Sequence, residues 1–200
     1  MSRETLRAMT DLTNDTGAYS TGASVSVLIL PGWQGSGPGH WQMQWARLYG
    51  YTVVEQNDWL HPLRGDWLAR LDEVVIDAPA PVVLVAHSLG CILTAAWASF
   101  SRHTGRVRGA LLVAPGDVEV PEMRDRFSGW TPIVRQPLPF KSILVGSQND
   151  PYCRADRAQA LAQDWGAQWL DLGLAGHINA DTSLGAWPQG HALLQTLMKE

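Results

Sequence analysis

Six short runs rich in Val, Ile, Leu and Ala, at Val25–Leu30, Thr52–Val54, Val82–Ala86, Ala110–Ala114, Ser142–Gly146 and Gln168–Leu172, are spaced along the chain with helix-period stretches between them. Leu89, Ile92, Leu93, Ala96, Trp97 and Phe100 recur at the steps of one helix face, and Ala155, Ala158, Leu161, Ala162 and Trp165 form a second such stripe. Trp67, Leu68, Leu71, Val74 and Val75 give a third, and His191, Ala192, Leu193, Leu194 and Leu197 a fourth. Strands that are apolar on both faces, separated by helices, predict a doubly wound, mainly parallel, six-stranded α/β sheet with helices on both faces. Residues 24–200 read as one domain, preceded by a polar stretch, residues 1–23, that reads as a flexible leader.

The composition suits that reading: 200 residues, 46% hydrophobic, bury a sizeable core in one domain and leave little room for a second. A net charge of −4 without a Lys/Arg block argues against nucleic-acid or anionic-membrane partners and for a small neutral or weakly anionic one. No apolar run approaches the roughly 20 residues of a membrane span, and Met1-Ser2-Arg3-Glu4-Thr5 leads into no signal-like segment, so a cytoplasmic location is expected. Cys91 and Cys153 are expected to be unpaired, and no metal-ligand cluster or cofactor motif is read. Ten tryptophans are unusually many for this length. Trp67 and Trp97 fall on core stripes, whereas Trp33, Trp41, Trp130 and Trp187 sit in turn-like or terminal segments and are read as pocket walls.

The third apolar run passes through His87-Ser88-Leu89-Gly90 directly into a helix stripe. A strand, a sharp turn bearing serine and a helix make a nucleophile elbow, with Ala86 where glycine is usual; the alternative is a β–α turn with a capping serine. If the strands ending at Leu30 and Ala86 flank the point where strand order reverses, their following loops face each other. The first of these is Pro31-Gly32-Trp33-Gln34-Gly35-Ser36-Gly37-Pro38-Gly39-His40-Trp41. Its backbone amides suit an oxyanion hole, here assigned to the N–H groups of Trp33 and Leu89, with Gly32, Trp33, His40 and Trp41 as binding residues. It lacks the Lys of a phosphate-binding loop.

A serine nucleophile needs a base and a group that orients the base. Among six histidines, His177 follows the last run in a glycine-punctuated loop, with His40 as its rival; His87 adjoins Ser88 but its side chain is expected to point elsewhere, and His103 and His191 look like helix-surface residues. Asp150, in Gly146-Ser147-Gln148-Asn149-Asp150-Pro151, is the candidate acid, with Asp117 as its rival. The order Ser88, Asp150, His177 is that of α/β-hydrolases.

Pro31-Gly32-Trp33 with His40-Trp41, the serine turn, Gly146-Ser147-Gln148-Asn149-Asp150-Pro151, and Gly176-His177-Ile178-Asn179 with Gly185-Ala186-Trp187-Pro188 together resemble the small serine hydrolases grouped with retinoblastoma-binding protein 9. The resemblance runs from about Val25 to the C-terminus and implies a minimal, lidless α/β-hydrolase with its triad on Ser88, Asp150 and His177. The retinoblastoma-binding signature Leu-x-Cys-x-Glu is incomplete, since Leu89-Gly90-Cys91-Ile92 is followed by Leu93, so that partner is not expected.

The expected activity is hydrolysis of short-chain esters or related acyl compounds through an acyl-enzyme. An ordinary imidazole loses its proton near about pH 6.5, so such a reaction would slow on the acid side. The alternatives are a binding or scaffold protein on a hydrolase fold, and a non-hydrolytic use of the same residues in hydroxynitrile-lyase-like or acyl-transfer chemistry.

Overall fold

The computed structural model describes residues 24–199; the expected leader, residues 1–23, lies outside them. Six strands form one sheet: β1 (Ser26–Leu30), β2 (Thr52–Val53), β3 (Val82–His87), β4 (Val107–Val113), β5 (Lys141–Gly146) and β6 (Gln168–Asp171). The order is β2-β1-β3-β4-β5-β6, and every adjacent pair is parallel. The order reverses between β1 and β3, so the loop after Leu30 and the turn after His87 meet at the carboxyl edge.

Alternation along each strand sorts the apolar side chains into two layers. Leu28, Leu30, Leu84, Ala86, Ala110, Leu112 and Leu144 pack with α2 (Arg64–Asp77), α3 (Leu89–Ala98) and α5 (Ala155–Asp164). Val27, Ile29, Val83, Val85, Leu111, Val113, Ile143 and Val145 pack with α1 (Trp41–Tyr49) and α6 (Pro188–Met198). Between β4 and β5 there is only a one-turn helix, α4 (Pro121–Arg124), and a 3-10 turn at Ser128–Trp130, so no helical lid covers the sheet edge among the described residues.

The helix α1 is not among the four helix stripes read from the sequence, which ended the preceding loop at Trp41. Its buried face, Trp41, Gln42 and Trp45, includes a polar residue that dilutes the apolar stripe, while His40 caps its start and Gly50, at φ 70°, ends it. The strand β4 begins at Val107 rather than Ala110, because Val107 and Gly109 pair with Val82 and Val83 across a bulge. Phe100 lies past the end of α3 and is exposed, since the Phe100 and Ser101 amides both turn back onto Trp97 O. His191 is buried on α6, stacked on Tyr49 and 2.9 Å from Tyr51 Oη, rather than on the helix surface. Among the described residues no helix is long and apolar enough to cross a membrane.

The start of α3 packs directly on the end of β1. A Cβ at Gly90 would lie 2.4 Å from Leu30 O and 3.0 Å from Pro31 O, both backbone atoms that cannot swing aside. We expect Gly90→Ala to destabilise the protein by about 1–3 kcal/mol, despite the roughly 1 kcal/mol alanine gains in helix propensity. Urea unfolding measures the difference; an unchanged or raised midpoint would contradict this packing.

Candidate active site

Ser88 occupies the turn between β3 and α3 at φ 55°, ψ −120°, a conformation non-glycine residues rarely adopt. The flanking structure holds it there: Ser88 N donates to Val113 O on β4, and Cys91 N closes the first turn onto Ser88 O. On the facing loop a Cβ at residue 32 would lie 2.7 Å from Ser88 Cβ, so only glycine permits this approach. Ala86 is fully buried with room for its methyl group.

The three strand-end residues come into direct contact. His177 Nε2 is 2.9 Å from Ser88 Oγ, and His177 Nδ1 is 2.9 Å from each Asp150 carboxylate oxygen. Nδ1 faces an acceptor-only carboxylate and therefore carries the proton in the neutral ring, which leaves Nε2 to accept from the serine hydroxyl. The Asp150 side chain is 2% exposed, and its Oδ1 also accepts from Tyr152 N at 2.8 Å. The ring of Tyr152 lies against His177 with centroids 4.6 Å apart.

The loops that carry Asp150 and His177 are stitched together. Ser147 Oγ accepts from Ala175 N, Asn149 Oδ1 accepts from Gly176 N, and Gln148 N donates to Gly173 O. The rival acid, Asp117, is committed elsewhere: Arg157 on α5 bridges it to Glu119, which also binds Arg135. The rival base, His40, caps α1 by accepting from Gln42 N through Nδ1, so its neutral ring carries the proton on Nε2.

A cavity of about 340 Å³ opens beside Ser88. Val118, Met123, Phe127 and Trp33 give it an apolar wall, and Gln34, Ser36, Asn179 and His40 border its polar side. The Trp33 ring is braced by its Nε1–H on Leu60 O, the Phe127 edge 5.8 Å away and the Arg126 guanidinium 4.4 Å over its face. The backbone N–H groups of Trp33 and Leu89 have no acceptor among the described residues.

Of the residues read as binding residues, Gly32, Trp33 and His40 border this cavity, while Trp41, Trp130 and Trp187 do not. Trp130 is buried against Trp67 with its Nε1–H on Pro62 O. Trp41 and Trp187 pack with Trp45 between α1 and α6, where burial of their large rings supports the layer. Val118, Met123, Phe127 and Tyr152 escaped the sequence reading because irregular segments carry no periodic signal. His87 also differs from expectation: it borders the cavity and contacts the His177 loop. Both cysteines are unpaired and buried, and burial raises both thiols, Cys153 to about 12. Among the described residues no cluster of three or more His, Cys, Asp or Glu side chains is suited to a metal ion.

Burial, and secondarily the neighbouring His177, lowers His40 to about 4, while burial and then His177 and His40 hold His87 well below the ordinary imidazole range. The unfolded chain gains a proton at His40 as pH falls through about 6.5, but the folded protein resists it until about 4. Stability is therefore lost across that interval, by up to about 1.4 kcal/mol per pH unit from this residue. His40→Asn, which keeps a capping side chain, should flatten the acid limb of a stability-versus-pH curve; an unchanged slope would show that His40 is not buried neutral.

The fold resembles that of solved hydrolases. A YdeN-like hydrolase from Pectobacterium atrosepticum superposes with a TM-score of 0.77 at 28% identity, covering 88% of this chain and 91% of that one. The ydeN gene product of B. subtilis gives 0.71 at 19% identity over 88% and 100%, and Thermogutta terrifontis esterase 2 gives 0.62 at 16% over 88% and 82%. No curated protein matches the chain. The serine hydrolase family model matches residues 27–196, nearly the whole described chain, and the protein is therefore a member of the serine hydrolase family, a small serine hydrolase of the α/β-hydrolase superfamily.

Proposed function

We propose that the protein hydrolyses short-chain acyl esters through Ser88, His177 and Asp150. The observation that carries this reading is the single imidazole bridging Ser88 Oγ and both oxygens of a buried carboxylate at 2.9 Å each. Ser88 Oγ attacks the carbonyl carbon as its proton passes to His177 Nε2, and Asp150 stabilises the resulting imidazolium. The carbonyl oxygen becomes an oxyanion that the Trp33 and Leu89 amides receive. Collapse breaks the bond to the leaving alcohol, which takes the proton from His177 and leaves an acyl-serine. Water then attacks the acyl carbon with its proton passing to His177, the carboxylic acid departs and the proton returns to Ser88.

The size of the cavity supports short acyl groups, because about 340 Å³ lies at the small end of ligand pockets. Its apolar wall of Val118, Met123 and Phe127 suits an aliphatic chain, and among the described residues no helical lid extends that wall. Buried Asp117, which borders the cavity, disfavours an acyl group ending in a carboxylate, although Arg157 offsets much of its charge.

A fluorophosphonate probe should label the wild type and not Ser88→Ala, and Ser88→Ala should lose roughly 10,000-fold or more in turnover. A folded wild type that resists labelling would instead indicate a binding protein on a hydrolase fold. Nitrophenyl acetate or butyrate should turn over faster than the palmitate, and the opposite order would exclude the short-chain reading.

A further inference from the structure

Two consecutive carbonyls of the loop that carries His177 end on buried ring N–H donors. His87 Nε2 lies 2.9 Å from His177 O, and because a carbonyl only accepts, this nitrogen holds the ring proton. Trp41 Nε1–H donates to the next carbonyl, Ile178 O, at 2.8 Å. The two donors come from different elements, His87 from the end of β3 directly before Ser88 and Trp41 from the first residue of α1. Both are buried, and their rings meet edge to face at 6.2 Å, with His87 in turn 4.8 Å from the His177 ring.

The two peptide groups they hold flank Ile178, in a shape the chain does not favour by itself. Ile178 has φ 48°, a region that disfavours a β-branched residue, so the loop keeps this shape only while its surroundings impose it. We propose that His87 and Trp41 are positioning residues, whose ring N–H groups hold the His177–Ile178 and Ile178–Asn179 peptides so that the imidazole spans Ser88 and Asp150. The inference rests on the triad reading above and adds what keeps the base in register. Without either tie the strained peptide can relax, and an imidazole displaced by about 1 Å loses on the order of 100-fold in rate. Burial keeps His87 neutral, so it places no second positive charge beside the imidazolium that His177 becomes.

His87→Met removes the donor at similar length, His87→Gln supplies an amide N–H of comparable reach, and Trp41→Phe removes the second donor while keeping an aromatic ring. Turnover of nitrophenyl butyrate would be normalised to sites counted by fluorophosphonate labelling run to completion, with the far-downfield proton resonance of His177 Nδ1–H as a second readout. We expect His87→Met and Trp41→Phe to lower kcat per site about 10- to 100-fold. KM should stay within about twofold and the downfield resonance should broaden or shift. His87→Gln should recover most of the lost kcat. Unchanged kcat per site in His87→Met and Trp41→Phe, or a Gln variant no better than Met, overturns the positioning role while leaving the triad standing. A wild type that is not labelled overturns both. The two deletions lie on separate elements, so if either fails to unfold cooperatively the other decides.

Discussion

The first turn of α1 holds the carboxyl edge of the sheet together. Gln42 is fully buried there, donating its amide protons to Leu30 O on β1 and Val85 O on β3 and accepting from Ser36 Oγ in the glycine-containing loop. A buried amide lacking such partners costs about 1–3 kcal/mol, so its bonds constrain the edge as well as stabilise it. They span the place where strand order reverses, the position at which doubly wound sheets bind ligands. His40 and Trp41, beside it, reach the cavity border and the loop that carries His177 respectively. One helical turn thus touches the strand ends, the loop that carries the Trp33 amide and the loop that carries His177.

Around that turn the site is built from conformations that would relax if isolated. Ser88 and Ile178 both have positive φ, and the close approach of Gly32 to Ser88 leaves no room for a methyl group. The sheet core absorbs this strain: β3 is buried along its whole length, and α3 is buried through most of its turns. The charged groups near the cavity are arranged differently. Asp117, Glu119, Arg135, Arg157 and Asp164 form a partly exposed network joining the β4–β5 connection to α5. Such pairs add modestly to stability, and here their clearer effect is to fix where the apolar wall of Val118 and Met123 stands.

The recurrence of tryptophan shows where local reading stops. Trp67 and Trp97 lie on regular stripes and are core, as their spacing implies. Trp41, Trp130 and Trp187 stand within two residues of a glycine or proline, a setting shared by pocket walls and by rings that plug the gap between layers. A Cβ at Gly190 would lie 2.3 Å from the Trp187 ring, so the glycine on α6 makes room for packing rather than for a ligand. No spacing within a single segment separates these cases, because the partner surface comes from a distant part of the chain.

By itself the sequence determined the strand and helix alternation, the parallel sheet, and the strand-end positions of Ser88, Asp150 and His177. These follow from periodicity and from short-range turn chemistry, which are local properties of the chain. Only the tertiary structure decided that α1 inserts a glutamine between two strand ends and that His87 and Trp41 reach the loop that carries His177. It also decided which rings border the cavity. Those outcomes depend on contacts such as Trp41 to Ile178, 137 residues apart, whose geometry exists only once both layers have closed on the sheet.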